Sequence, residues 1–165
     1  MLLATTDISD RFGDEARILT PDLLDFGGGV RFQGSAVTIK CFEDNSRIKE
    51  TLASPGHGKV LVVDGGASKR CALLGDMIAR DAVANGWEGI IISGCVRDIA
   101  VLKTLNIAIK ALGATPRRST RRGEGIRDIP ITIAGIPANA GDIVIGDEDG
   151  VVILSPAQGK ELLAK

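Results

Sequence analysis

"ALLGDMIARDAVANGWEGIIISGCVRD" (72–98) holds the pattern from which this chain can be read. Gly75-Asp76 opens an apolar-periodic run that stops at Asn85-Gly86, the punctuation of a helix end. "GIIISG" (89–94) is then a continuous apolar run, as in a strand buried on both faces, and Arg97-Asp98 follows it. Twenty residues lie between Asp76 and Arg97. That is enough for one helix, a turn and one strand, so both element ends can reach the same rim of a sheet.

On either side of this stretch, "SAVTIKCF" (35–42), "KVLVVDGG" (59–66) and "IAIKALG" (107–113) read as further strands. "NSRIKETLA" (45–53), with Asn45 as N-cap, and "DIAVLKTL" (98–105) read as helices. From about residue 129 the pattern changes. "IPITIAGIPANAGDIVIGDEDGVVILSP" alternates β-branched residues with Gly, Pro and Asp turns, as antiparallel hairpins do, and "AQGKELLAK" (157–165) closes as a short helix. The expectation is an α/β core with late antiparallel hairpins, organised as one domain over 1–165.

Composition excludes several classes. With 20 basic and 21 acidic side chains the net charge is −1, which gives no general attraction to nucleic acid. No run approaches the roughly 18 apolar residues that span a membrane. "MLLATTDISDRFG" lacks the basic start of a secretory signal. Cys41, Cys71 and Cys95 are odd in number and far apart, so they read as reduced core thiols of a cytoplasmic protein.

Weaker chemical signals have plain alternatives. "VDGGAS" (63–68) is glycine-rich but lacks both phosphate-loop signatures, and reads as a turn after a strand. His57, the one histidine, sits in a turn with no nucleophile pattern beside it. Cys95 is flanked by apolar residues and reads as packing. Arg117, Arg118, Arg121 and Arg122 crowd one segment without an aromatic stacking platform, and read as a solvated, mobile loop rather than a nucleic-acid site.

Asp76, Arg97 and Asp98 are sharper together than singly. Either aspartate alone reads as a helix cap, and Arg97 alone as a surface ion pair. Placed at one rim, the two carboxylates suit Mg²⁺ or Mn²⁺. The N–H groups of Met77 and Ile78 at a helix start favour an anionic group, and Gly75 permits close approach of its backbone. Spacing leaves metal site and paired caps both open.

The segments "TTDISD", "GGG", "FEDN", "SPGHGKVLVVDGG", "LGDMIARDAV", "NGWEGIIISGCVRD" and "AGDIVIGDEDGVVILSP" together resemble the regulator of ribonuclease activity A superfamily, which includes 4-hydroxy-4-methyl-2-oxoglutarate aldolases. Its aldolase branch carries Asp, twenty residues, Arg-Asp, and Asp76, Arg97 and Asp98 match that signature. The resemblance implies a swivelling β/β/α domain with mixed sheets and flanking helices, and a ring-like homotrimer. It implies that Asp98 binds a divalent cation (Mg²⁺ or Mn²⁺), that Asp76 holds a water of that metal, and that Arg97 stabilises an enolate. Gly75, Asp76, Met77, Ile78 and Arg97 would bind the 2-keto acid. The implied reaction cleaves 4-hydroxy-2-keto acids to pyruvate and a second keto acid, with oxaloacetate decarboxylation through the same enolate. The alternative is a non-catalytic regulator that binds and inhibits an RNA-degrading endoribonuclease.

Overall fold

The computed structural model describes residues 3–19 and 22–164. In chain order the elements are α1 (Thr5–Phe12), a short 3₁₀ turn, β1 (Arg17–Leu19), β2 (Leu24–Asp25), β3 (Phe32–Lys40), α2 (Ser46–Leu52), β4 (Lys59–Asp64) and β5 (Ala72–Leu74). There follow α3 (Asp76–Ala84), β6 (Gly89–Val96), α4 (Ile99–Leu102), β7 (Ala108–Ala114), β8 (Ile126–Arg127), β9 (Ile131–Ile133), β10 (Ile136–Ala138), β11 (Ile143–Gly146), β12 (Val151–Leu154) and α5 (Pro156–Leu163). This is the expected mixed α/β architecture with flanking helices.

One large mixed sheet runs in the order β1-β12-β11-β3-β4-β6-β7-β2, with β5 added beside β6 and β8 beside β3. Its centre, β3-β4-β6-β7, is parallel, and its flanks are antiparallel. The continuous apolar runs sit in that centre for a physical reason: β6 is buried along all eight residues because both of its faces are covered. On one face Ile90, Ile92 and Val96 pack with Ile78 and Ala82 of α3 and Leu52 of α2. On the other, Val62 and Ile91 pack with Ile131 and Ile133 of the β9-β10 hairpin. Late hairpins therefore cover the sheet face that helices leave open. The β9-β10 turn places Ala134 and Gly135 at positive φ, as a two-residue hairpin requires.

Several sequence expectations shift. The helix expected over 98–105 shortens to Ile99–Leu102 and dissolves into turns. The last helix begins at Pro156 behind a Ser155-Gln158 capping box; the expected end at Lys165 lies outside the described residues. Asn45 precedes α2 but its side chain does not cap it; Asp44 Oδ1 accepts the Ser46 N–H at 2.9 Å instead. The triple glycine at 27–29 lays its backbone on the entry to β7, where a Cβ on Gly27 would meet the Ile107 carbonyl oxygen at 2.0 Å.

The arginine-rich segment is also corrected. Its backbone is tied down: Ala72 N–H donates to Arg117 O at 2.7 Å, Thr120 N–H to Glu43 O at 3.0 Å, and Gly123 N–H to Ser46 Oγ at 2.9 Å. Four exposed guanidinium groups sit on an anchored backbone, which a charge count could not reveal.

Candidate active site

The carboxyl end of β6 delivers Arg97 and Asp98 to the sheet rim, and the end of β5 delivers Gly75 and the start of α3 beside them. The two edges are stitched together by the Arg97 N–H, which donates to Leu74 O at 2.9 Å. Asp98 has left-handed backbone angles, φ 60° and ψ 37°, unlike the extended conformation of ordinary N-caps. The consequence is direct. Asp98 makes no side-chain cap on α4; its Oδ2 reaches back across the rim and accepts the Asp76 N–H at 3.2 Å. The same oxygen lies 3.6 Å from Arg97 Nε.

Gly75 is required at this junction by space, not by conformation. Its φ of −130° is accessible to any residue, but a Cβ there would stand 2.7 Å from Asp98 Oδ2 and 3.2 Å from Arg97 Cγ. Gly75 itself has no side chain to cap the first turn of α3, and only the Asp76 N–H is taken, by Asp98. The N–H groups of Met77 and Ile78 lie in that turn, where no intrahelical acceptor exists. Met77 projects its side chain into solvent while Ile78 is buried in the core.

The Asp76 carboxylate turns along its own helix, with Oδ2 3.9 Å from Arg80 Nε. Asp76, Arg97 and Asp98 each keep roughly a third of their side-chain surface exposed, so mutual Coulomb attraction is weak and all three remain accessible. A cavity of about 250 Å³ opens directly onto Arg97 and Asp98, walled by Ile99 and by Ala114, Thr115 and Pro116 after β7. The structure therefore brings Gly75, the Asp76 amide, Arg97 and Asp98 together. Thr115 and Pro116 are wall residues that no sequence motif announced.

Among the described residues no group of three or more His, Cys, Asp or Glu side chains gathers in metal-binding fashion. That donor set is wrong for a tetrahedral zinc site, which needs four protein or water ligands around soft or nitrogen donors. It fits a hard cation of the Mg²⁺ type, which keeps several waters and takes one or two carboxylates plus substrate oxygens.

The other singled-out residues do not join this site. His57 is exposed beside Gly86. Cys41, Cys71 and Cys95 are free and buried, and burial pushes each thiol up, to about 12 for Cys41, the opposite of an activated nucleophile. The glycine turn after β4 borders a larger cavity, about 650 Å³, that also holds Asp22, Asp64, Lys69 and Ser93. There the Gly66 N–H is already taken by Asp64 Oδ1 at 2.9 Å, and that carboxylate repels phosphate.

The chain has relatives in sequence and in fold. The family model described as "RraA-like: Aldolase/RraA" matches residues 5–153. The chain belongs to the RraA-like family. A relative from Alkalilimnicola ehrlichii, provisionally named a 4-hydroxy-4-methyl-2-oxoglutarate aldolase, is 52% identical over 153 residues, covering 93% of this chain and 95% of that one. The solved structure of an RNA-processing inhibitor, RraA from Thermus thermophilis, superposes with a TM-score of 0.90 at 40% identity, covering 94% of each chain. A structure from Geobacillus kaustophilus described as an S-adenosylmethionine:2-dimethylmenaquinone methyltransferase superposes at 0.92 with 39% identity, covering 99% of each chain. RraA-like chains thus share one fold under three functional names, and the choice among them rests on the site.

Proposed function

We propose that this protein is a lyase, a divalent-metal-dependent aldolase that cleaves 4-hydroxy-4-methyl-2-oxoglutarate-type acids to pyruvate and a second keto acid, and that also decarboxylates oxaloacetate. The observation that carries the reading is the junction of Asp98 with the Asp76 amide and Arg97 at the mouth of a cavity. The Asp76 N–H at the start of α3 is held by Asp98, from the end of β6, because the N-cap residue is glycine. The following N–H groups, on Met77 and Ile78, have no intrahelical acceptor, and Asp98 and Arg97 lie against Gly75 beside them.

Asp98 would hold the metal, with Asp76 holding one of its waters. When bound, Mg²⁺ or Mn²⁺ supplies a Lewis acid for the 2-keto group. The first-turn N–H groups of Met77 and Ile78 receive the substrate's C1 carboxylate, and Gly75 lets it approach the backbone. Asp76, through an ordered water, accepts the proton of the C4 hydroxyl. As that proton leaves, the C3–C4 bond breaks, C4 becomes a carbonyl, and the electron pair passes through C3 to the C2 oxygen. Arg97 stands against that oxygen and stabilises the negative charge developing there. Return of that proton from Asp76 through the water to C3 yields pyruvate. Oxaloacetate reaches the same enolate by losing its C4 carboxylate as CO₂. Among the described residues no lysine lines this cavity, and the proposed route needs no Schiff-base amine.

A second reading, regulation of an RNA-degrading endoribonuclease without catalysis, is supported by the similarity to the Thermus inhibitor. Pyruvate release from 4-hydroxy-4-methyl-2-oxoglutarate and from oxaloacetate, followed with and without added Mg²⁺, separates the two. Metal-dependent pyruvate from either acid is expected. No pyruvate from either, with a ribonuclease slowed by the folded protein, would favour the regulator. The family resemblance further leads us to propose a cytoplasmic homotrimer, checked by light scattering in solution. No helix among the described residues is long and apolar enough to cross a membrane.

A further inference from the structure

Asp44 is fully buried and lies outside the cavity. A carboxylate removed from water is costly unless hydrogen-bonded, and what satisfies this one is the arginine-rich segment. Oδ2 accepts the Arg122 N–H and lies 3.4 Å from the Thr120 hydroxyl, which also reaches Glu43 O at 3.0 Å, while Oδ1 accepts the Ser46 N–H at the start of α2. Backbone pairing extends the grip on both sides of Asp44. Thr120 N–H donates to Glu43 O, and Asn45 N–H donates to Thr120 O at 3.3 Å. Glu43 holds a left-handed φ of 56°, a conformation that costs a residue other than glycine and is found where surroundings enforce it.

The held segment then runs along β5. Ala72 N–H donates to Arg117 O at 2.7 Å, and Ser119 N–H to Ala72 O at 3.2 Å. Two residues further on, β5 meets the site: Leu74 O takes the Arg97 N–H, and Gly75 lies against Asp98. The other end of the segment is fixed by the Thr115 N–H on Val96 O at 3.0 Å, and it supplies Thr115 and Pro116 to the cavity wall. Residues 115–122 are thus a strap fastened at Val96, at Ala72 and at Asp44.

We propose that Asp44 is a positioning residue for the site: by holding the Arg122 N–H, next to the pairing of Thr120 with Glu43, it clamps residues 117–119 onto β5, and so sets where Gly75, Asp76 and Arg97 stand. The kinetic consequence rests on the aldolase reading; the structural consequence does not. A carboxylate is needed because both oxygens receive N–H donors. Asparagine keeps one acceptor and turns a second N–H donor toward the other.

The test compares wild type with Asp44→Ala, Asp44→Asn and Thr120→Val in the full chain. It measures trypsin cleavage after the loop arginines, amide hydrogen exchange at Asp76 and Arg97, and Mg²⁺-dependent pyruvate release. Asp44→Ala is expected to speed loop cleavage and exchange at both site amides by about tenfold or more. It should lower kcat by roughly 10–100-fold with a smaller change in KM, as for reacting groups displaced by about 1 Å. Asp44→Asn and Thr120→Val should fall between it and wild type; if the alanine variant does not fold, these two carry the comparison. A folded variant with a loosened loop but unchanged exchange at Asp76 and Arg97 overturns the proposal, as does unchanged loop cleavage in Asp44→Ala. Were wild type to release no pyruvate, the aldolase reading would fail while amide exchange still decided the role of Asp44.

Discussion

At the residue scale, Asp98 combines two roles that substitution can separate. Its Oδ2 caps α3 through the Asp76 N–H, and its charge serves the proposed metal. Asp98→Asn keeps an acceptor oxygen and removes the charge. We expect its melting temperature to stay near wild type while metal-dependent kcat falls by at least about 10²-fold; unaltered turnover would show that the carboxylate does no chemistry. Asp98→Ala removes the cap as well, and should additionally cost about 0.5–2 kcal/mol in denaturant unfolding, the range for a lost helix cap. Arg97→Lys keeps the charge but not the planar fork. It should lower kcat by roughly 10²–10³, the effect of removing one oxyanion donor.

The first turn of α3 and the start of α1 show what elements contribute. In α3 the N-cap is a glycine because Asp98 and Arg97 occupy the space of a side chain. Gly75→Ala should therefore leave far-ultraviolet circular dichroism unchanged but displace Asp98, so that the Mg²⁺ concentration for half-maximal activity rises by about tenfold or more, as when support around a metal ligand is lost. In α1 the cap is equally remote. Asp147 accepts the Thr5 N–H at 2.8 Å and the Thr5 hydroxyl at 2.7 Å. Burial alone would raise the Asp147 and Asp44 pKa values, but hydrogen bonds from Thr5, Asp149 and Gly150, and from Ser46, Arg122 and Thr120, hold both carboxyls below the ordinary carboxylate value. Groups lowered on folding contribute stability that is present above the unfolded pKa, near 3.9, and lost as pH falls through the folded values. Thermal stability should thus drop below about pH 4, and Asp147→Asn should flatten that dependence.

For the whole molecule, the sheet decides what meets at the rim. β5 and β7 both pair with β6, and so the ends of β6 and β7 line one cavity while the end of β5 lies beside Arg97 and Asp98. Chelation is the global test of the proposed chemistry: pyruvate release should vanish in excess EDTA and return with Mg²⁺ or Mn²⁺, and undiminished turnover would remove the metal. The arginine-rich segment offers a contrasting test. Backbone groups do most of the fastening, and all four guanidinium groups are exposed, although Arg121 Nε reaches Asn45 Oδ1 at 3.2 Å. Replacing Arg117, Arg118, Arg121 and Arg122 with serine should keep kcat/KM within about threefold, the scale of surface substitutions worth about 0.5 kcal/mol.

Local residue patterns were enough to specify the long elements and the rim on which Asp76, Arg97 and Asp98 stand. Apolar runs such as "GIIISG" have few alternatives to a doubly covered strand, and Asn-Gly ends a helix locally. Local patterns did not disclose α1, because "TTDISDRF" buries little beyond Thr5 and Ile8 and is capped from 142 residues away. β5, three residues long, is too short to show periodicity and exists through its partners. Tertiary structure alone decided that Asp98 caps α3 rather than α4, since a left-handed backbone angle aims its carboxylate across the rim. The fold alone makes the arginine-rich segment a strap, because its backbone groups are fastened to residues 19 to 78 positions away, which no local pattern of side chains encodes.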